Sequence, residues 1–174
     1  MLFQNILTDM EKSNVALAKR CHANPDLHAF CQSGLGAMKR EHRKYINVPD
    51  TQLIGCTVDL DKATEKAYPS ANRWDYALEY EGNMFFIEIH PAVTSEIACM
   101  IQKVDFVTEW LKNNAPEVLE LPKKEVGPRQ FYWVSSGRTD LRLSPNSPQR
   151  KKLILKHIKS VGCEWNYAKL FFSK

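Results

Sequence analysis

The spacing of apolar residues changes along this chain, and the changes mark its elements. Over residues 2–20, Leu2, Ile6, Leu7, Met10, Val15, Ala16 and Leu17 recur near a 3.6-residue period, with Asp9, Glu11, Lys12 and Lys19 off the stripe. That pattern predicts a helix. Asn24-Pro25-Asp26 ends it. Residues 27–45 predict a second helix, weakened by Gly34 and Gly36 and closing on the basic run Lys39-Arg40-Glu41-His42-Arg43-Lys44. The period then shortens. Ile54 to Leu60, Asp75 to Tyr80 and Met84 to His90 have strand character, and Glu81-Gly82-Asn83 is a tight turn that makes the last two a hairpin.

Helical spacing returns after Pro91. Thr94 or Ser95 is placed to cap a helix whose buried stripe is Ile97, Met100, Ile101, Val104, Val107, Thr108 and Leu111. Asn113-Asn114-Ala115-Pro116 closes it, residues 117–129 form a charged loop, and Gln130 to Ser135 is a fourth strand. Residues 138–147 are loop, Ser147-Pro148 opens a basic helix running to about Lys159, and Ala168 to Phe172 is a last short strand. A helix between the third and fourth strands implies a crossover. The fold expected is therefore α/β (α+β), a mixed central sheet flanked by helices. One domain spans 1–174: N-terminal helices in 1–50, a sheet core in 51–135, and the basic helix and final strand in 136–174.

Composition narrows the class. No apolar run approaches the roughly 20 residues of a membrane span, and Met1 to Ile6 lacks the basic start and long apolar core of a signal peptide. The expectation is a cytoplasmic protein with no membrane partner. Five scattered cysteines, Cys21, Cys31, Cys56, Cys99 and Cys163, fit reduced thiols rather than a disulfide framework. Charge is segregated: residues 1–50 carry a net +2, residues 51–100 carry −5, and residues 101–174 carry +7. An acidic centre between basic flanks suits a cation site that serves a polyanion. A solvated surface with segregated charge is the plainer account.

The candidate chemistry lies in the hairpin. Alternation puts Glu88 and His90 on one face and Phe85, Ile87 and Ile89 on the other. The hairpin brings Asp75 beside Glu88 and His90, and two carboxylates with an imidazole are the parts of a hard-metal or acid/base site. Asp at the opening of one strand, Glu88-Ile89-His90 at the end of the next and the α-β-β-β-α-β order together resemble the PD-(D/E)XK nuclease-like superfamily. The resemblance covers roughly residues 50 to 135 and makes the sheet core nuclease-like. It implies a restriction-endonuclease-like fold, Mg²⁺-dependent hydrolysis of nucleic-acid phosphodiesters, and metal ligation by Asp75, Glu88 and the Ile89 carbonyl. His90 stands where the family pattern has lysine. It can act as a base, as a cation when protonated, or as a nitrogen ligand favouring Mn²⁺. Otherwise the site is inactive, and the chain is a non-catalytic module on the same fold that binds nucleic acid or a protein. In some members the lysine sits on the following helix, and Lys103, seven residues after Glu96 on the same flank, is the candidate.

Arg150, Lys152, Lys156 and Lys159 form a basic helix face suited to a phosphate backbone, or simply a solvated one. Asp59 and Asp61 either approach Asp75 or cap the following turn. Glu11 is a further acid on the first helix. Trp133, Tyr132, Trp165 and Tyr167 either stack on bases or fill the core. Cys21, His22, His28 and Cys31 lack zinc-finger spacing. Oligomeric state is open, and a homodimer is compatible with the sequence.

Overall fold

The computed structural model describes residues 16–121, 131–137, 139–141 and 143–172. Helix α1 (Ala16–Ala23) leads to strand β1 (Cys31–Ser33), the two-residue β2 (Ile46–Asn47) and β3 (Ile54–Asp59). Helix α2 (Leu60–Glu65), β4 (Tyr76–Tyr80), β5 (Asn83–Ile89) and β6 (Ala92–Val93) follow. Then come α3 (Ile97–Asn114), α4 (Pro116–Leu119), β7 (Phe131–Val134), β8 (Thr139–Asp140), α5 (Pro148–Leu155), β9 (Ile158–Ser160), β10 (Trp165–Asn166) and α6 (Tyr167–Phe171). Six strands form one sheet in the order β1-β3-β4-β5-β7-β9. Each of the neighbouring pairs β1–β3, β3–β4 and β4–β5 is antiparallel, whereas β7 runs parallel to β5 and β9 parallel to β7. The mixed central sheet flanked by helices is the expected class.

The β4–β5 turn sets the register. Glu81 and Gly82 have φ of 47° and 70°, the left-handed pair that joins antiparallel strands in line with their twist. Tyr80 therefore faces Asn83, and the ladder runs to Tyr76 opposite Ile87. Alternation then sorts the core into two layers. Ala77, Met84, Phe86, Trp133 and Ile158 pack under α1, α3 and α5 with Leu17, Val104 and Leu153. Leu78, Phe85, Ile87 and Tyr132 pack on the other face with Trp165 and Tyr167. Glu79 is buried in the first layer, where its Oε2 accepts the Leu17 amide at 3.1 Å and anchors α1.

Several expected elements differ: residues 117–129, expected as loop, begin within α4, and the expected loop 138–147 contains β8. Residues 27–45 are not a helix. They form a 3₁₀ turn (His28–Phe30), β1, and a 3₁₀ segment over Arg40–Tyr45. Gly34 has φ of 56°, and a Cβ on Gly36 would lie 2.9 Å from the Ser33 carbonyl. β1 meanwhile gains a ladder with β3, so tertiary pairing overrides a weak helical pattern. The basic helix stops at Leu155, and His157, with φ of 55°, turns the chain into β9. Residues 167–171 are helix rather than strand: Asn166 caps the Lys169 amide, and Tyr167 and Phe171 stack at 5.0 Å on the same side. The expected first helix is present over Ala16–Ala23, and residues 2–15 lie outside the described residues. No helix among the described residues is long and apolar enough to cross a membrane.

Gly82→Val places a β-branched side chain at a left-handed position that sets the central register. The expected outcome is a loss of about 1–3 kcal/mol in chemical unfolding, with Gly82→Asn costing less. Equal stability of Gly82→Val and wild type would show that the turn conformation does not constrain the hairpin.

Candidate active site

Asp75 lies one residue beyond the last β4–β5 ladder pair, which continues the register so that it stands opposite Glu88. The two carboxylates interlock through the backbone. The Asp75 amide donates to Glu88 Oε2 at 2.9 Å, and the Ile89 amide donates to Asp75 Oδ2 at 3.0 Å. Lys103 reaches down from α3 and its ammonium pairs with Glu88 Oε1. Both Glu88 oxygens are thus engaged, whereas Asp75 Oδ1 has no protein partner among the described residues. Glu88 is fully buried, the Asp75 residue is 9% exposed and the Lys103 side chain 13%.

Burial governs the electrostatics. Desolvation raises the Glu88 pKa, the adjacent Asp75 carboxylate raises it further, and Lys103 only partly opposes them. Asp75 is also raised, by desolvation first, against the pull of Lys103 and the Ile89 amide. For Lys103 burial acts downward, but the Glu88 carboxylate outweighs it and the ammonium holds its proton more firmly than a free lysine. Two buried carboxylates facing one ammonium leave a negative charge that a proton or a cation can neutralise.

The surrounding chain holds this arrangement. The Asp75 carbonyl accepts the Leu60 amide at 2.9 Å, tying α2 to the site. Asp59 caps that helix through the Lys62 amide at 2.9 Å. Asp61 pairs with Arg73 Nε at 2.8 Å, and Arg73 Nη1 also binds the carbonyls of Tyr68 and Pro69. Asn72 bonds Gln102 on α3, next to Lys103. The Arg73–Asp61 pair and the Asn72–Gln102 bond were not foreseen in the sequence, because these partners lie at no fixed spacing from one another.

His90 does not join the trio. Its Nε2 lies 2.9 Å from Glu96 Oε2, on the turn that leads into α3, and its carbonyl accepts Trp133 Nε1 at 3.1 Å. β5 ends at Ile89, but the His90 amide still donates to the Val134 carbonyl at 3.0 Å, and it is the bond with Glu96 at the start of α3 that takes up its ring. Ile89 contributes its amide to Asp75. Lys156 pairs with Asp105 on α3. Lys159 stands on β9 opposite Tyr132, on the face away from Ile158, so it does not share a helix side with Lys152. Arg150 and Lys152 remain exposed on α5. Trp133, Tyr132, Trp165 and Tyr167 are core residues, 0–2% exposed. Glu11 lies outside the described residues.

No group of three or more His, Cys, Asp or Glu side chains among the described residues is placed to hold a metal. A zinc centre needs three or four such ligands. Mg²⁺ keeps several waters and needs only one or two carboxylates. The free Asp75 Oδ1 beside Glu88 fits that smaller requirement. Searches against protein-family models, curated proteins and solved structures find no match for this chain.

A cation that binds here must displace the proton favoured by the raised carboxylates. Affinity for Mn²⁺, followed by the loss of the free-ion electron paramagnetic resonance signal, should therefore rise with pH, by up to about tenfold per unit while the site is protonated, and Asp75→Asn should abolish it. Without metal the sign for stability is opposite. A folded-state pKa raised above the unfolded value means protons are lost on unfolding, so the Glu88 contribution falls as pH rises from the unfolded toward the folded value. Mn²⁺ affinity independent of pH would contradict this account of the charge.

Proposed function

We propose that this chain is a metal-dependent phosphodiesterase acting on nucleic acid, on a restriction-endonuclease-like core. The observation that carries the reading is the Lys103 ammonium on Glu88 beside Asp75. It supplies from the following helix the cation that the strand motif lacks at His90. The strand order supports it as well: β3, β4 and β5 are antiparallel neighbours, and β7 returns parallel to β5 after α3, the α-β-β-β-α-β arrangement of the resemblance.

In this mechanism Asp75 and Glu88, with the Ile89 carbonyl, would hold Mg²⁺, with Mn²⁺ as a substitute. The bound ion would polarise a phosphoryl oxygen and lower the pKa of the attacking water. Lys103 is a fixed cation and not a base, because Glu88 strengthens its hold on its proton. Its work is to stabilise charge on the phosphoryl oxygens. The Asp75–Ile89 and Asp75–Glu88 backbone bonds keep the carboxylates in place without rotamer search. His90, bound to Glu96, positions the start of α3 and takes no part in proton transfer.

The near-complete burial of Glu88 favours one other reading, a non-catalytic module of the same fold that binds nucleic acid or a protein. Wild-type protein incubated with single- and double-stranded DNA and RNA in Mg²⁺ and in Mn²⁺ separates the two. Asp75→Asn, Glu88→Gln and Lys103→Met should each lower cleavage by about 100-fold or more, and His90→Ala should stay near wild type. Circular dichroism melts check that each variant folds. If wild type cuts nothing above the Glu88→Gln level yet still binds, the module reading replaces the enzyme.

A further inference from the structure

The candidate site sits beside a strongly basic segment that the mechanism does not use. Residues 39–44 carry Lys39, Arg40, Arg43 and Lys44 against the single carboxylate Glu41, and all five are exposed. None of the four cations is in an ion pair among the described residues, in contrast to Lys156, which Asp105 neutralises.

The segment is built onto the site. In a 3₁₀ helix side chains three apart eclipse one another. His42 and Tyr45 thus turn inward together, with ring centroids 6.5 Å apart. His42 Nδ1 lies 2.9 Å from the Tyr76 hydroxyl, and the Lys39 amide donates to that hydroxyl at 3.3 Å. Tyr76 is the neighbour of Asp75 in the chain. Burial lowers the His42 pKa, so it serves as an anchor and adds no charge. Arg43 Nε and Nη2 bind the carbonyls of Met38 and Gly36, and the Ala37 amide bonds Thr57 Oγ1 at 3.1 Å. The backbone that carries the cations is therefore fixed before any ligand arrives.

Lys103 and the basic segment lie on opposite faces of the sheet, because Tyr76 points away from the Asp75 side. Both fields converge on one point: Lys103 and Lys39 each act on the Asp75 carboxylate. An acidic centre with cations on either side, around the end of β4, matches a linear polyanion that crosses that end.

We propose that Lys39, Arg40 and Lys44 form the track for the phosphodiester backbone of a nucleic acid, leading it across the end of β4 to the Asp75–Glu88–Lys103 site. This rests on the nucleic-acid reading above and moves its main electrostatic surface from α5 to the 3₁₀ segment. Rigidly presented, unpaired cations release counterions on binding phosphates, which makes affinity salt-dependent.

The test is anisotropy of fluorescein-labelled single- and double-stranded DNA and RNA oligonucleotides across a salt series. Wild-type protein is kept in EDTA so that nothing is cut. Lys39→Gln/Arg40→Gln/Lys44→Gln should weaken binding at least about tenfold at low salt and reduce the slope of log affinity against log salt by about 2–3. Arg150→Gln/Lys151→Gln/Lys152→Gln should change the slope less. Lys39→Arg/Arg40→Lys/Lys44→Arg should retain binding and confirms that the segment is intact. Three results overturn the proposal: an unchanged slope in the first triple variant, no oligonucleotide binding by wild type, or binding only to phosphatidylserine vesicles. Track-dependent binding without metal-dependent cleavage supports the track and removes only the enzyme reading.

Discussion

The structure depends on a pair of reciprocal bonds between backbone amides and buried carboxylates at the end of one hairpin. Asp75 and Glu88 each accept a main-chain N–H from across the β4–β5 seam. They therefore close the ladder where ordinary strand pairing has stopped. A shift of β5 by one residue against β4 would reverse the faces of β5. Glu88 would leave Lys103, and Phe85 and Ile87 would enter the layer under α3. The two-residue turn at Glu81-Gly82 excludes that shift. The candidate chemistry is thus a consequence of a turn at the opposite end of the hairpin.

The same pair explains the charge balance. A fully buried glutamate beside a second carboxylate is costly unless compensated, and one lysine compensates only one of them. Raised carboxylate pKa values are the response. Structural stability alone would be served as well by an apolar pair, since replacing buried ions by well-packed apolar side chains is often neutral or favourable. On the proposed reading, the second carboxylate and the unpartnered Asp75 Oδ1 are where a cation would take the place of the proton.

Much of this was legible in the sequence. The hairpin was visible because alternation and an x-Gly-Asn turn agree. Lys103 was reachable because helical spacing relates it to Glu96, and the structure pairs the two with Glu88 and His90 respectively. His90 was grouped with Asp75 and Glu88 because alternation places it on the Glu88 face, but its ring bonds Glu96, a partner that no strand period relates to it. Lys159 was misaligned because a helical period was carried past Leu155, across the left-handed turn at His157. Residues 167–171 look like a strand by composition, yet a capped turn with aromatics at i and i+4 is equally well encoded. Only the Lys159 error extends a period beyond the residue that interrupts it; the others turn on partners or caps that local spacing does not reveal.

The segment over 27–45 is the most consequential of these. Had it been an α-helix, the run Lys39 to Lys44 would have spread its cations around a cylinder at about 100° per residue. Glycines at 34 and 36 and the pull of β1 onto β3 prevent that. The 3₁₀ geometry instead eclipses His42 with Tyr45, sets His42 against Tyr76 and Tyr45 against the Ser136 carbonyl, and leaves Lys39, Arg40 and Lys44 in solvent. The conformation that defeated helical reasoning is what places unpaired positive charge beside a negative site. Backbone geometry thus adds to the count of lysines and arginines in setting the two basic surfaces apart: α5 carries Arg150, Lys151 and Lys152 in eight residues, and Lys156 just beyond it is already occupied by Asp105.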